Sequence, residues 1–181
     1  MRVITGTARG RRLITLEGLD VRPTTDKVKE GIFSAIQFDI DGRKILDLFA
    51  GSGQLGIEAL SRGAQKCVFV DSSSKALNVI NRNLQTTGLA DKAEVYASDA
   101  LGYLSRCRDT FDIVFLDPPY AMAENIIPKI LASLIPLLSR CATIVCETDV
   151  NAALPEQAED FTVYRTYRYG KTAVTTYKRI L

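Results

Sequence analysis

The sequence contains no histidine and no tryptophan among its 181 residues, and its four cysteines are scattered. The absence of histidine excludes every mechanism that depends on an imidazole, including Ser-His-Asp and Cys-His catalysis. No two cysteines form a CxxC pair, and without histidine we expect no metal site. Unpaired cysteines are typical of a reducing compartment, so we expect a cytoplasmic protein.

Long apolar runs are also absent. No apolar stretch reaches the roughly 18 residues that a membrane span requires, and the N-terminus lacks the apolar segment of a signal peptide, so we expect no membrane association. Hydrophobic residues make up 46% and charged residues 24% of the sequence, which is an ordinary globular composition. The length predicts one domain, for which a monomer is the simplest expectation.

Positive charge is concentrated at the two ends of the sequence. Residues 1–12 carry a net charge of +4 and residues 161–181 carry +5, which leaves −7 for residues 13–160 out of a total of +2. Basic segments bind nucleic-acid phosphates by replacing condensed counterions, although a solvated charged face explains either segment equally well. The candidate RNA contacts are Arg2, Arg9, Arg11, Arg12, Arg22 and Lys171.

Apolar segments alternate with helical patterns from residue 44 onward. The predicted strands are 44–49, 66–71, 93–97, 111–116, 142–147, 161–168 and 172–180. The predicted helices between them are 54–62, 73–87, 100–106 and 123–138. This alternation predicts an α/β fold with a doubly wound, mostly parallel seven-stranded sheet and helices on both faces. Ligands of such sheets bind at the carboxyl ends of the strands.

The first 43 residues have a different pattern. Residues 2–16 alternate weakly around Gly6 and Gly10, which predicts a small β-hairpin. The segment Arg22-Pro23-Thr24-Thr25-Asp26 is a helix start, and an apolar stripe at helical spacing follows it. We therefore predict one domain over 1–181, with a basic hairpin extension at 1–20 and an α/β core at 44–181.

A glycine-rich loop follows the first core strand. Gly51, Gly53 and Gly56 have GxGxxG spacing, which lets a ligand approach the backbone closely. Asp47 lies four residues before Gly51, and the loop contains no lysine or arginine. A carboxylate disfavours a pyrophosphate here and favours a ligand with an ammonium and a sulfonium, such as S-adenosylmethionine.

Two more acids follow the second and third core strands. The Asp71 carboxylate can accept both hydroxyls of a ribose, and Asp99 can accept from an adenine amino group. Each acid has an alternative role, because aspartate also caps the N-terminus of a helix. Asp71 supports an adenosine ligand without selecting one cofactor over another.

The fourth core strand ends in Asp117-Pro118-Pro119-Tyr120, which we take as the catalytic segment. Pro118 keeps Asp117 out of the helical region, and the two prolines fix an extended backbone without N–H donors. The Asp117 carboxylate and the Pro118 carbonyl can then accept from one amino group, while Tyr120 offers a flat face to a planar base. The alternative is an ordinary β-turn.

The sequence resembles the RsmD family of 16S rRNA guanine-N2 methyltransferases, which have the Rossmann-like class I methyltransferase fold. The resemblance covers nearly the whole sequence and is most specific at 46–64 and 111–120. It implies S-adenosylmethionine as cofactor, ribosomal RNA or the small ribosomal subunit as partner, and an amino-group pocket at 117–120. The implied cofactor contacts are Asp47, Phe49, Gly51, Gly53, Asp71, Asp99 and Asp117.

Three other functions remain open. The catalytic segment also suits methylation of adenine in nucleic acid or of a protein glutamine. An NAD-dependent oxidoreductase would use the glycine loop and Asp71 but leave Asp47 and Asp117 without a role. A catalytically silent RNA-binding module would need only the basic ends.

Overall fold

A computed structural model describes residues 1–16 and 24–180. Its helices are α1 (Asp26–Ile36), α2 (Gln54–Ser61), α3 (Ser74–Thr87), α4 (Ala100–Arg106) and α5 (Tyr120–Leu134). Its strands are β1 (Lys44–Leu48), β2 (Lys66–Asp71), β3 (Ala93–Ala97), β4 (Phe111–Leu116), β5 (Leu138–Asp149), β6 (Gln157–Ala158), β7 (Phe161–Tyr169) and β8 (Thr172–Arg179). The predicted RNA contact Arg22, Pro23 and the last four residues of the predicted extension, 17–20, lie outside the described residues.

All strands join one sheet in the order β3-β2-β1-β4-β5-β8-β7-β6. Strands β1 to β5 are parallel to one another. Strand β8 pairs antiparallel with β5, and β7 and β6 continue the sheet with antiparallel pairing. The predicted doubly wound sheet is confirmed, with the two-residue β6 added at its edge. The strand order reverses between β1 and β4, and a ligand cleft is expected at the carboxyl ends of these strands.

Alternating side chains of the central strands bury the two faces of the sheet. Ile45 and Leu46 are adjacent and fully buried, yet they belong to separate apolar clusters. The cluster around Ile45 includes α1, α2 and α3, and the cluster around Leu46 includes α4 and α5. Two apolar layers of this kind hold β1 and β4 rigidly, so the residues that follow these strands have fixed positions.

The N-terminal segment forms a short version of the predicted β-hairpin. Its arms meet at an antiparallel bridge between Arg2 and Arg12, and the Val3 N–H donates to the Arg11 carbonyl at 2.9 Å. Beyond this pairing its backbone bonds to α2: the N–H groups of Ile4 and Thr5 donate to the Glu58 carboxylate at 2.8 and 2.9 Å. The segment is therefore attached to the second half of α2, where the Ala8 N–H also donates to the Ser61 hydroxyl at 2.9 Å.

The boundaries predicted for one helix and one strand are wrong by two to four residues. The helix predicted at 123–138 begins at Tyr120 and ends at Leu134, and the strand predicted at 142–147 runs from Leu138 to Asp149. Pro119 is the residue before the helix, where its missing N–H costs nothing, and a short 3₁₀ turn containing Pro136 separates helix from strand. Within 1–16 and 24–180, no helix combines the length and apolar character needed to cross a membrane.

Candidate active site

The loop after β1 has an unusual backbone. Phe49, Gly51 and Gly53 have φ angles of 60°, 57° and 76°, in the left-handed region. A non-glycine residue such as Phe49 rarely adopts this conformation, and such residues occur preferentially at functional sites. A Cβ at Gly53 would lie 3.2 Å from Ile80 Cγ1, so packing as well as backbone angle favours glycine there. The loop folds the chain back sharply and leads directly into α2.

Asp47 is buried beneath this loop. Its side chain lies in the core with the residue only 1% exposed, and its Oδ2 accepts from the Gly56 N–H at 2.9 Å. The pKa of Asp47 is raised to about 8, mainly by burial and also by the negative charge of Asp71, against the opposing effect of the Gly56 hydrogen bond. A cation bound in the cleft would lower this pKa and stabilise the carboxylate.

Gly56 serves packing rather than ligand contact. A Cβ at this position would lie 2.3 Å from the Phe69 ring and 2.6 Å from Cys67 Sγ, so α2 rests directly on β2. The third glycine of the motif thus sets the distance between helix and sheet, which is a known role of that position.

Asp71 connects the ends of β1 and β2. Its Oδ2 accepts from the Gly51 N–H at 2.9 Å, and its Oδ1 accepts from the Ser73 N–H at 2.8 Å. Ser73, not Asp71, caps α3 through its own hydroxyl. Because each carboxylate oxygen accepts more than one hydrogen bond, Asp71 keeps acceptor capacity for a ribose.

Asp99 is exposed and caps α4, where its Oδ1 accepts from the Gly102 N–H at 2.8 Å. The capping role considered from the sequence is therefore present. The adenine contact of Asp99 stays a prediction.

Asp117 lies in the same cleft as the glycine-rich loop. The residues that line this cleft are Met1, Leu16, Asp47, Phe49, Ala50, Gly51, Ser52, Gln54, Leu55 and Asp117. Burial raises the pKa of Asp117 well above its ordinary value, and the nearby carboxylates of Glu147 and Asp47 raise it further. The sheet thus brings the predicted cofactor loop and the start of the predicted catalytic segment together.

Tyr120 is fixed by a contact distant in sequence. It is the first residue of α5, and its Oη lies 3.0 Å from the Thr172 Oγ1 in β8. Pro118 is buried and Pro119 is exposed, so the segment runs from the core to the surface over two rigid residues. The Tyr120 ring is thereby held near the turn between β7 and β8.

Two residues of the site were not predicted from the sequence: Gln54, which lines the cleft, and Glu147, whose charge acts on Asp117. Gln54 is buried against the cleft, and within the described residues its Oε1 has no hydrogen-bond partner. Glu147 is 5% exposed and accepts from the Thr24 hydroxyl at 2.9 Å. Gln54 occupies a variable position of GxGxxG and gives no signal, whereas an acid within the apolar strand at 142–147 was a signal for Glu147.

The predicted RNA contacts lie at exposed positions. Arg9, Arg11 and Arg12 are exposed in the N-terminal segment, and Arg2 is exposed within 3.8 Å of Asp26. Lys171 is exposed in the turn between β7 and β8, next to Thr172. Of the N-terminal segment, Met1 lines the cleft, and the arginines follow on the same exposed segment. The described residues contain no cluster of three or more metal-ligating side chains.

Comparison with known proteins agrees with this arrangement. A family model described as "Conserved hypothetical protein 95" matches residues 1–178. The putative rRNA methyltransferase YlbH of Bacillus subtilis is 46% identical over 185 residues, covering 99% of each chain. Ribosomal RNA small subunit methyltransferase D of Escherichia coli K12 is 33% identical over 181 residues, covering 99% of this chain and 90% of that protein.

This chain belongs to the RsmD family of class I methyltransferases. A solved structure described as the putative methyltransferase yhhF from Escherichia coli superposes with a TM-score of 0.88 at 31% identity, covering 99% of this chain and 97% of that one. The family and the fold predicted from the sequence are both confirmed. The cleft lies between the loop after β1 and the end of β4, where the strand order of the sheet reverses. Doubly wound sheets bind their ligands at this position.

Replacing Asp47 with asparagine is expected to stabilise the free protein at pH 7.5 but not at pH 4. The folded protein holds the Asp47 proton up to a pKa of about 8, whereas the unfolded chain releases it near 3.8. Stability is therefore lost as pH rises between these values, by about 1.4 kcal/mol per pH unit for one group at most. Asparagine cannot ionise, and its oxygen can still accept from Gly56.

Urea unfolding at both pH values checks this expectation, and we expect a gain at pH 7.5 of up to about 5 kcal/mol, the slope above taken over the pH range from 3.8 to 7.5. Calorimetry with S-adenosylhomocysteine should show weaker binding at pH 7.5, since the carboxylate is lost. An equal change in stability at pH 4 and pH 7.5 would mean that ionisation of Asp47 carries no cost.

Proposed function

We propose that this chain transfers the methyl group of S-adenosylmethionine to the N2 amino group of a guanine in small-subunit ribosomal RNA. One observation carries the proposal: Asp117 and the loop residues Phe49–Ser52 line a single cleft. A donor bound by the loop and an amine bound at Asp117 would meet there. The names of the relatives, which include an rRNA small-subunit methyltransferase, support ribosomal RNA as the substrate.

The cleft suits a cationic adenosyl cofactor. Asp47 and Asp117 line it, and none of the described residues that line it is a lysine or arginine. The buried Gln54 Oε1, which lacks a partner among the described residues, is an acceptor of the kind an α-ammonium group requires. Asp71 at the end of β2 would accept from ribose hydroxyls. Together these groups favour an ammonium and a sulfonium over a pyrophosphate.

The bound cofactor would supply a methyl group on a positively charged sulfur. The residues of this chain would hold the guanine so that its amino nitrogen faces that carbon, with the ring stacked on Tyr120. The Asp117 carboxylate and the Pro118 carbonyl would accept the two amino hydrogens. The hydrogen bonds to these two acceptors become stronger as the nitrogen lone pair forms the N–C bond and the electrons of the C–S bond return to sulfur.

No strong base is required in this scheme. The amino nitrogen becomes acidic only after it has gained the methyl group, and one of its protons then leaves through Asp117 to solvent. In the free protein the raised pKa of Asp117 favours its protonated form, which cannot accept this proton. A cation in the cleft would favour the ionised form of Asp117, so cofactor binding prepares the amine site.

Calorimetry and methyl transfer test the proposed function in sequence. S-adenosylhomocysteine should bind and NAD should not; binding of NAD alone would favour an oxidoreductase. Tritiated S-adenosylmethionine should then label small-subunit rRNA, and the same assay with DNA and a glutamine-containing peptide should give background counts. Label on DNA or peptide but not on rRNA would contradict the proposed substrate.

Reversing one N-terminal charge is expected to weaken RNA binding. We propose that Arg11, which is exposed on the N-terminal segment, contacts a phosphate. Arg11→Glu should lower RNA affinity and reduce the slope of log affinity against log salt by about 1. The matched control is Lys92→Glu, an exposed charge at the opposite end of β3 from the cleft. Equal salt slopes for wild type and Arg11→Glu, measured by fluorescence anisotropy, would remove Arg11 from the RNA interface.

We further propose that the protein acts as a cytoplasmic monomer, because its RNA substrate is made there and the cleft is formed by residues of one chain. Analytical ultracentrifugation with and without RNA would test the monomer, for which a single species of about 20 kDa without RNA is expected.

A further inference from the structure

A second concave surface lies between α1 and β7, away from the cofactor cleft. We call it the α1–β7 groove, and the side chains that matter here are Phe38, Asp39, Tyr164, Arg165, Tyr167 and Lys178. Phe38 is 92% exposed and Tyr164 is 57% exposed. Two large exposed rings in one groove are not explained by the fold, because neither contributes to a buried apolar cluster.

A β-bulge places Tyr164 in this groove. In the pairing of β7 with β8, Val163 lies opposite Tyr177 and Arg165 lies opposite Thr176, which leaves Tyr164 as the extra residue. A bulge of this kind redirects a side chain that a regular strand would point elsewhere. Tyr164 and Arg165, adjacent in sequence, can therefore both line the groove.

Two cations flank the Tyr164 ring. The Lys178 ammonium lies 5.0 Å and the Arg165 guanidinium 5.6 Å from the ring centroid. Asp39 lies 3.5 Å from Lys178 and is the only acid on the groove lining within the described residues. The wider strand pair is basic, since residues 161–181 contain five cations and no acid. Exposed rings beside cations form the kind of surface that binds single-stranded nucleic acid, by stacking bases and pairing phosphates.

The groove leads toward the proposed active site. Within β7, Tyr164 and Tyr169 lie about 17 Å apart at the usual rise per residue of a strand. Tyr169 lies opposite Thr172, and the Thr172 hydroxyl is 3.0 Å from the Tyr120 hydroxyl. A strand of RNA whose base stacks at Tyr120 can thus continue along β7 toward Tyr164 and Phe38.

We propose that the α1–β7 groove binds a single-stranded segment of the RNA substrate next to the methylated guanine, with bases stacked on Phe38 and Tyr164 and phosphates near Arg165 and Lys178. This inference rests on the proposed function and adds a second RNA site to it. RNA is favoured over a protein partner because the exposed Tyr164 ring lies beside Arg165 and Lys178 in a segment without acids, and Phe38 adds a second exposed ring to the same groove.

The test is RNA binding by the double variant Phe38→Ala/Tyr164→Ala. Its affinity for a single-stranded rRNA fragment containing the target guanine, measured by fluorescence anisotropy, should fall about 5- to 100-fold, as expected for the loss of one or two base stacks. The matched control, Phe38→Tyr/Tyr164→Phe, keeps both rings and should bind RNA as wild type does. Affinity for S-adenosylhomocysteine should be unchanged in both variants, which confirms that each is folded.

A charge variant tests the phosphate contacts separately. Lys178→Gln should reduce the salt slope of RNA binding by about 1, whereas Lys92→Gln should not. Ultraviolet cross-linking of the wild-type complex should attach RNA to Tyr164 or Phe38. Unchanged RNA affinity in the alanine double variant would overturn the proposal. Loss of activity on assembled subunits with normal affinity for naked RNA would also overturn it, in favour of a protein contact.

Different results would contradict the proposed function and the proposed RNA site in the groove. If wild type binds the RNA fragment through the groove but transfers no methyl group to it, the proposed function fails and the groove stands. If wild type methylates rRNA and the alanine double variant binds RNA equally well, the groove fails and the proposed function stands.

Discussion

Asp117→Ala is expected to lower methyl transfer about 10³-fold while leaving S-adenosylhomocysteine affinity within about threefold of wild type. The size follows from the loss of a preorganised acceptor that strengthens in the transition state, an effect of about 10²- to 10⁴-fold in other enzymes. Cofactor binding should survive because the glycine loop, Asp47 and Gln54 remain in place. Single-turnover transfer of a tritiated methyl group to rRNA measures the loss.

Two control variants make this result specific to Asp117. Asp117→Asn keeps one acceptor oxygen and should retain more activity than alanine, and its rate should lose any rise with pH that ionisation of Asp117 causes. Asp109→Ala changes an exposed acid before β4, at the opposite end of the strand, and should behave as wild type. A rate within about threefold of wild type for Asp117→Ala would remove Asp117 from the chemistry.

Glu58→Gln is expected to destabilise the fold by about 3 kcal/mol or more, a typical loss when one partner of a buried ion pair is removed. Glu58 and Lys29 are fully buried, with their charged atoms 3.5 Å apart, and burial lowers the pKa of Lys29 while Glu58 opposes that shift. The Glu58 carboxylate also accepts from Arg62 and from the N–H groups of Ile4 and Thr5. One acid therefore joins α1, α2 and the N-terminal segment.

Thermal unfolding should show this loss as a midpoint lowered by about 6–12 °C for a chain of this size. The matched control is Glu94→Gln, which breaks a surface pair with Lys66 in which both side chains are 40% exposed. Surface pairs contribute about 0–1 kcal/mol, so this control should unfold near the wild-type temperature. Equal midpoints for the two variants would show that the buried pair does not secure the N-terminal segment.

The features predicted most accurately from the sequence are those that depend on local sequence pattern. The bounds of β2, β3, α4 and β4 agree with prediction because apolar runs, glycines and caps mark both ends of each. The meeting of Asp47 with the segment that begins at Asp117 also followed from local pattern, since the carboxyl ends of parallel strands lie at one edge.

Features that depend on contacts between distant residues were not predictable. The Tyr120 and Thr172 hydroxyls meet although 52 residues separate them, and Glu147 joins the Asp117 neighbourhood only through strand pairing. The attachment of the N-terminal hairpin to α2 depends on Glu58, which lies 54 and 53 residues from the two N–H groups that donate to it. The exposure of Tyr164 in a groove depends on a register shift in the pairing of β7 with β8, and no sequence pattern predicts such a shift.

The central claim is that Asp117 presents a guanine amino group to the donor held by the glycine loop. Nucleoside mass spectrometry of small-subunit rRNA, after incubation with the protein and S-adenosylmethionine, tests it most directly. We expect N2-methylguanosine at one position with wild type and none with Asp117→Ala. Methylation of adenine, or equal N2-methylguanosine with both proteins, would contradict the claim.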